Sequence, residues 1–265
     1  MINDFSGTAS VAGIAFRQQP AQIDDATGNR ILAGLSTVAR DRLAPHVRVR
    51  VAREGLVLWE TGTRSDRIYF PVSATVLLVV PVGSGAQLEV GTIGLEGACG
   101  FDADLVPGAA RPVVRIGGLI ASLPAREFDA AVRDCPELGR IAPACTAWLL
   151  AQAQQIAVCN ATHTAEQRFA RWLARTAQAT GRDTVAVTQE TVAELLGLRR
   201  TTVTLIAQTL QTAGIIRYRR GIIAIVDPAG LKATACPCGE TFGPAFQPAD
   251  LLAAASRPAG PEACA

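Results

Sequence analysis

The sequence predicts an α+β fold in three successive parts: a β-rich domain, one long helix, and a small helical domain closed by a hairpin. Three observations carry this. Short apolar and alternating runs recur between residues 45 and 125, an apolar three-four alternation runs unbroken from Pro136 to about Asn160, and beyond Thr188 two short amphipathic segments flank Gly197. At 265 residues, 49% hydrophobic and 18% charged, the chain is long enough for two domains, each with its own core.

In the first part the runs are Val47 to Val51, Leu56 to Trp59, Arg67 to Phe70, Thr75 to Val82, Gln87 to Val90, Val113 to Ile116 and Leu119 to Leu123. Glycine, proline and charged clusters separate them. Short strands at such regular intervals build a sandwich or barrel. In the second part Leu138, Ile141, Cys145, Trp148, Gln152, Gln155 and Cys159 recur at three-four spacing, and Leu149 and Ile156 widen the stripe. A helix apolar on two adjoining faces has two surfaces to cover, most simply the barrel and a second copy of itself. Leu138, Ile141, Cys145, Trp148, Gln152 and Ile156 are therefore the expected dimer interface.

The third part is the most specific. Val192, Leu195 and Leu196 share one face of a first helix, and the Thr188 hydroxyl stands where it can accept from an unpaired N–H at the helix start. Gly197 permits a turn. In the second helix Val203, Ile206, Ala207 and Leu210 face a core, leaving Arg200, Thr201, Thr204, Leu205 and Gln208 outward. Apolar backing with hydrogen-bonding tips is what a helix entering the DNA major groove needs. Downstream, two β-branched runs flank Arg219, Arg220 and Gly221, the pattern of a hairpin wing with a basic tip. Residues 165 to 232 hold ten Arg or Lys against five Asp or Glu, in a chain whose net charge is only +2. The basic excess thus sits where phosphates would lie. The expected DNA-contacting set is Thr188, Gln189, Arg199, Arg200, Thr201, Thr204, Gln208, Arg219 and Arg220, with Arg200 as a base reader and Arg199, in the turn, as a phosphate anchor.

A barrel, a long connecting helix and a winged helix-turn-helix together resemble the Crp-Fnr family of bacterial transcription regulators over roughly residues 30 to 235. The most specific segments run from Ile68 to Pro71, Glu89 to Gly97, Leu196 to Val203 and Ala213 to Gly221. The resemblance implies a double-stranded β-helix of the cyclic-nucleotide-binding-like jelly-roll type. It further implies a homodimer joined along the long helix and a near-palindromic double-stranded DNA target, with RNA polymerase as a further partner class. The implied divisions are a flexible segment 1–25, a barrel 26–134, a dimerisation helix 135–163, a DNA-binding domain 164–235 and a flexible tail 236–265.

Departures from the family pattern narrow the reading. Aligned on Gly197, the chain keeps Arg200 but has Thr201 and Leu205 where the catabolite-activator branch has a glutamate and a second arginine, so the half-site should differ. Nucleotide-binding members carry a Gly-Glu pair for the ribose and an Arg-Ser pair for the cyclic phosphate. Here Gly97-Ala98-Cys99-Gly100 and Arg111-Pro112 occupy those places. Alanine lacks the carboxylate acceptor, and proline lacks both hydroxyl and N–H, so cyclic AMP should not control this protein. Gly97, Gly100 and Arg111 are what is left of an effector pocket.

None of the seven cysteines precedes the barrel, so the amino-terminal cluster that holds iron and sulfur in oxygen-sensing relatives is missing. Cys236 and Cys238 form the one suggestive pair, but two thiolates fall short of a structural zinc set. Neither metal nor cofactor is expected. No nucleophile elbow, Walker A, dinucleotide or zincin motif occurs, so the chain does not read as an enzyme. The longest apolar run, Val76 to Val82, is too short to span a membrane, and residues 1 to 25 lack a signal pattern, which places the protein in the cytoplasm. The alternative is a relative that does not bind DNA and whose barrel and helix-turn-helix dock partner proteins; DNA affinity that falls steeply with salt separates the two.

Overall fold

The computed structural model describes residues 23–83, 86–101, 110–238 and 247–255. The chain enters through a 3-10 turn, Ile23–Ala26, and two short helices, α1 (Arg30–Ala33) and α2 (Thr37–Leu43). Buried Asn29 fixes this entry. Its Oδ1 accepts from the N–H groups of Ile31 and Leu32, while its Nδ2 donates to the carbonyls of Pro71 and Gly97 at 2.9 and 3.0 Å. One side chain thus caps α1 and ties it to the barrel wall.

Six strands follow: β1 (Arg48–Ala52), β2 (Arg67–Pro71), β3 (Thr75–Pro81), β4 (Gln87–Ile93), β5 (Arg111–Ile116) and β6 (Gly118–Pro124). They pair antiparallel in two three-stranded sheets, ordered β1-β6-β2 and β4-β3-β5. Their inward residues, among them Phe70, Val76, Ile93, Val114 and Leu123, are essentially inaccessible. The run Leu56 to Trp59, expected as a strand, is not one. Only Val57 bridges to Val113, and the Leu58 N–H donates to the Pro112 carbonyl.

Helix α3 (Ala125–Asp134) and a 3-10 turn, Leu138–Arg140, lead into α4 (Ile141–Thr162), the long helix read from the sequence. Its stripe faces a different neighbour from the one expected. Leu138, Ile141 and Cys145 belong to the barrel's own core at 0–1% exposure, and Trp148 packs with Val76, Ile93 and Val114. Gln152 pairs with the backbone of Thr92 on edge strand β4, its Oε1 accepting from the N–H at 2.9 Å and its Nε2 donating to the carbonyl at 3.1 Å. Ile156 lines a crevice with Leu88 and Leu195. Leu138, Ile141, Cys145, Trp148 and Gln152 therefore have little or no surface left to offer a second chain, and the expected interface is corrected for them: this part of the stripe docks α4 on its own barrel, while Ile156 is half-buried.

Helix α5 (Ala165–Thr180) starts with a capping box between Thr164 and Gln167 and stops at Gly181 in the left-handed region. Then come β7 (Thr184–Ala186), α6 (Gln189–Leu196), α7 (Arg200–Thr212), β8 (Ile216–Arg219), β9 (Ile222–Ile225) and α8 (Pro228–Thr234). The three short strands form one antiparallel sheet, β7-β9-β8. A last helix, α9 (Pro248–Ala255), alters the expectation of a featureless tail. Ala249 and Leu252 pack on the barrel core, and Arg30 donates to Gln247 and pairs with Asp250 at 2.7 Å. Residues 1–22 and 256–265 lie outside the described residues.

Candidate nucleic-acid interface

Helix α6 begins where the sequence places it, with the Thr188 hydroxyl accepting from the Thr191 N–H at 3.1 Å. It ends at Gly197, whose φ of 63° permits the sharp turn into α7. The turn is held from outside. Arg168 on α5 donates through Nη2 to the Leu196 carbonyl, one of the acceptors a helix end leaves open. Across the turn the Thr204 hydroxyl donates to Gln189 Oε1 at 2.7 Å, fixing the angle between the two helices.

Helix α7 has the split that the sequence predicted. Val203, Ile206, Ala207 and Leu210 are buried, whereas Arg199, Arg200, Thr201 and Gln208 are exposed and Leu205 is 64% exposed. Arg199 occupies the N-cap but makes no side-chain hydrogen bond there, so α7 starts without a side-chain cap. Such a helix start is a ready phosphate contact, reinforced by the positive end of the helix dipole. Arg200 pairs with Glu190 at 3.5 Å, both side chains more than half exposed. Glu190 escaped the sequence reading, because nothing in a local pattern says which residue of one helix meets the start of the next.

The wing turns through Arg220 and Gly221, with φ of 49° and 78°, two consecutive positive values that a two-residue hairpin of this twist requires. Arg219 and Arg220 are exposed at its tip. The expected DNA-facing residues thus lie on α6, α7 and the wing of one small domain, with Thr188 and Gln189 at the start of the supporting helix.

The remnant of an effector pocket is occupied by the protein's own packing. A Cβ on Gly97 would stand 2.9 Å from the Trp148 ring, and one on Gly100, whose φ is 96°, would stand 2.2 Å from the Arg67 carbonyl. Both glycines serve close approach within the chain. Arg111 pairs with Glu60 at 3.4 Å. Ala98 is fully buried. A cavity of about 850 Å³ opens elsewhere, between α4 and α5, against Glu96, Trp148, Gln152, Arg171, Arg175 and Cys236. Burial pushes the Glu96 carboxyl above its ordinary range, opposed by hydrogen bonding that includes the Gly94 N–H and by the charge of Arg175.

Cysteine placement differs from expectation. Cys236 and Cys238, read as a pair short of partners, are met by Cys159 and His163 from the end of α4, and the four ligand atoms all lie within 4.8 Å of one another. That convergence spans 77 residues for Cys159 and Cys236. Neither the C-x-C motif nor the helical stripe announces it alone. Where the sequence offers two candidate ligands, the fold thus brings four together.

The architecture is thus a β-barrel, a long helix packed on it, and a winged helix-turn-helix with a basic outer face. Residues 167–234 match the family model of the Crp-like helix-turn-helix domain. A transcriptional regulator of the Crp/Fnr family from Eubacterium rectale superposes with a TM-score of 0.61 at 15% identity, covering 77% of this chain and 96% of that one. The c-di-GMP-responsive global regulator CLP of Xanthomonas campestris gives 0.59 at 15% identity, covering 72% and 99%. A Crp/Fnr-family regulator from Thermus thermophilus gives 0.57 at 22% identity, covering 71% and 98%. No curated protein sequence matches the chain. The carboxy-terminal unit is a Crp-like helix-turn-helix domain, and the chain as a whole has the fold of Crp/Fnr-type transcriptional regulators. The relatives so described are regulators, not enzymes. No helix among the described residues is long and apolar enough to cross a membrane.

Proposed function

We propose that this chain is a sequence-specific DNA-binding transcription regulator that binds a near-palindromic site as a homodimer and does not respond to cyclic AMP. The observation that carries the reading is the outer face of α7: an uncapped helix start with Arg199, Arg200, Thr201 and Gln208 exposed over a buried apolar backing, inside a Crp-like domain. Arg200 has the reach to meet a guanine edge bidentately, and Arg219 and Arg220 the charge to meet a flanking phosphate.

The proposed homodimer is supported by α4. Its 22 residues include no charged side chain. One face docks on the barrel, yet Leu150 and Val158 on the opposite face are 58% and 51% exposed. Ala147, Leu150, Gln154, Ala157 and Ala161 are all exposed and continue a three-four alternation. A helix apolar all round calls for burial all round, and a second copy of α4 covers this seam with small residues that let two helices approach closely.

Cyclic AMP independence rests on Ala98 and Pro112, which lack the groups that hold ribose and phosphate. The test is selection of bound duplexes from a random library, followed by titration of the enriched site at several salt concentrations with and without millimolar cyclic AMP. The expected result is a symmetric motif with half-sites about 34–36 Å apart, affinity that falls steeply with salt, and no change with nucleotide. No enriched motif and no binding at low salt would favour protein docking, and a gain in affinity with cyclic AMP would restore the nucleotide pocket.

A further inference from the structure

We propose that Cys159, His163, Cys236 and Cys238 form a tetrahedral site for one thiophilic divalent ion, zinc by chemistry, that clasps the end of the DNA-binding domain to the end of the long helix. Cys159 and His163 are four residues apart, at the end of α4, so both project from one side. Cys236 and Cys238 follow α8, and Pro237 between them stiffens the segment that presents both sulfurs.

The spacings fit a single ion. Zinc–sulfur bonds of about 2.3 Å and zinc–nitrogen bonds of about 2.0–2.1 Å set tetrahedral edges of roughly 3.5–3.8 Å between ligand atoms. Cys159 Sγ and Cys236 Sγ are 3.7 Å apart, and Cys238 Sγ and His163 Nδ1 are 3.8 Å apart. With all four atoms within 4.8 Å, the ligands leave room for one ion. An iron–sulfur cluster inserts several atoms between its ligands and needs a wider cage. Four protein ligands close the coordination sphere, as structural zinc sites do, whereas catalytic sites keep a position open.

The surroundings complete the charge. A zinc ion held by three thiolates and a neutral imidazole carries one net negative charge. Arg171, only 9% exposed, lines the same cavity as Cys236 and Cys238, and its Nε has no hydrogen-bond partner among the described residues. A buried guanidinium needs an anionic neighbour. The Gln155 amide donates to Cys159 Sγ at 3.4 Å, an outer hydrogen bond of the kind that orients a metal-bound sulfur. The ion would hold α8 against the α4–α5 junction, where His163 ends one helix and Thr164 caps the next.

The experiment is metal analysis of the full chain purified without chelator, with cobalt(II) replacement as a spectroscopic readout. About one zinc per chain is expected, and the cobalt form should show the intense visible bands of tetrahedral thiolate ligation. Cys238→Ser combined with His163→Ala should lose the ion, whereas Cys135→Ser, outside the cluster, should keep it. Should the double variant fail to fold, His163→Cys provides a second test: the ion is retained and the cobalt bands shift as a nitrogen ligand becomes sulfur. A chain that purifies metal-free and gives no cobalt bands overturns the proposal, as does metal retained undiminished in the double variant. So does a Cys159–Cys236 disulfide in the native protein. None of these outcomes depends on whether the chain binds DNA.

Discussion

Arg220 holds a backbone conformation that asparagine or glycine adopts with less strain, since a left-handed φ costs an ordinary L-residue roughly 1–2 kcal/mol. Its side chain packs against little, being exposed at the wing tip. Strain of this kind, at a place where packing does not demand arginine, points to the guanidinium as the reason for the residue. The same domain holds Arg200 in an unstrained helix start, paired with exposed Glu190, a contact worth under about 1 kcal/mol and easily surrendered. The two arginines should therefore fail in different ways. Arg220→Asn is expected to leave the fold as stable or slightly more stable in urea unfolding, while weakening DNA binding on all sequences alike and lowering the salt slope by about one unit. Arg200→Ala should cost about 1–3 kcal/mol per half-site on the selected sequence and relax one guanine position. Equal losses on selected and scrambled duplexes would make Arg200 a phosphate clamp. Both positions were legible in the sequence, because a glycine fixes the turn that places each: Gly221 next to Arg220, and Gly197 three residues before Arg200. Glu190 was not, since its role depends on the angle between α6 and α7.

At the scale of elements, periodicity reports that a face is buried but not against what. The stripe through Leu138, Ile141, Cys145 and Trp148 was readable as apolar, and the helix bounds were close to those of α4. The partner was misassigned because a barrel and a second helix demand the same spacing. The opposite face, built on Ala147, Leu150, Gln154, Ala157 and Ala161, is too rich in alanine to stand out by hydrophobicity. The helix-turn-helix and wing were legible for the converse reason: polar and apolar residues alternate sharply, so only one register buries Val203, Ile206 and Leu210 together. The two faces of α4 make a direct test. In the proposed dimer, Leu150→Glu should give folded monomers with weakened DNA binding, because it would remove a side chain worth about 1.5–3 kcal/mol per chain once buried and put a charge in each half of the seam. Trp148→Glu should instead unfold the barrel, since its ring fills the space beside Gly97. Sedimentation and thermal melting measure both. A Leu150→Glu variant that remains a dimer with native affinity would move the seam elsewhere.

Across the whole molecule, the barrel and the helix-turn-helix domain are not independent bodies joined by a helix. Leu77, Val79 and Val113 from the barrel share one buried cluster with Phe169, Trp172, Leu195 and Val203. Glu89 on β4 sits at that junction, 7% exposed, where its carboxylate accepts from the Trp172 indole N–H at 2.8 Å and from the Thr92 hydroxyl at 2.5 Å. Glu89 opens one of the sequence's most specific segments, yet its partner lies 83 residues away and no local pattern links them. Trp172→Phe keeps an aromatic side chain but loses the pyrrole half of the indole, removing one donor from a buried carboxylate, a loss of about 1–3 kcal/mol beyond that of the cavity left behind. Glu89→Leu alone strands the indole N–H. If the two groups matter chiefly to each other, the double variant should be less destabilised in urea than the two single losses added together, by an interaction energy on the order of 0.5–3 kcal/mol. The single variants should also change DNA affinity without touching α7, because they loosen the contact that sets how the recognition helix stands relative to the barrel. Strict additivity of the two losses, with DNA binding unchanged in all three variants, would show that Glu89 and Trp172 act separately and that the junction is packing alone.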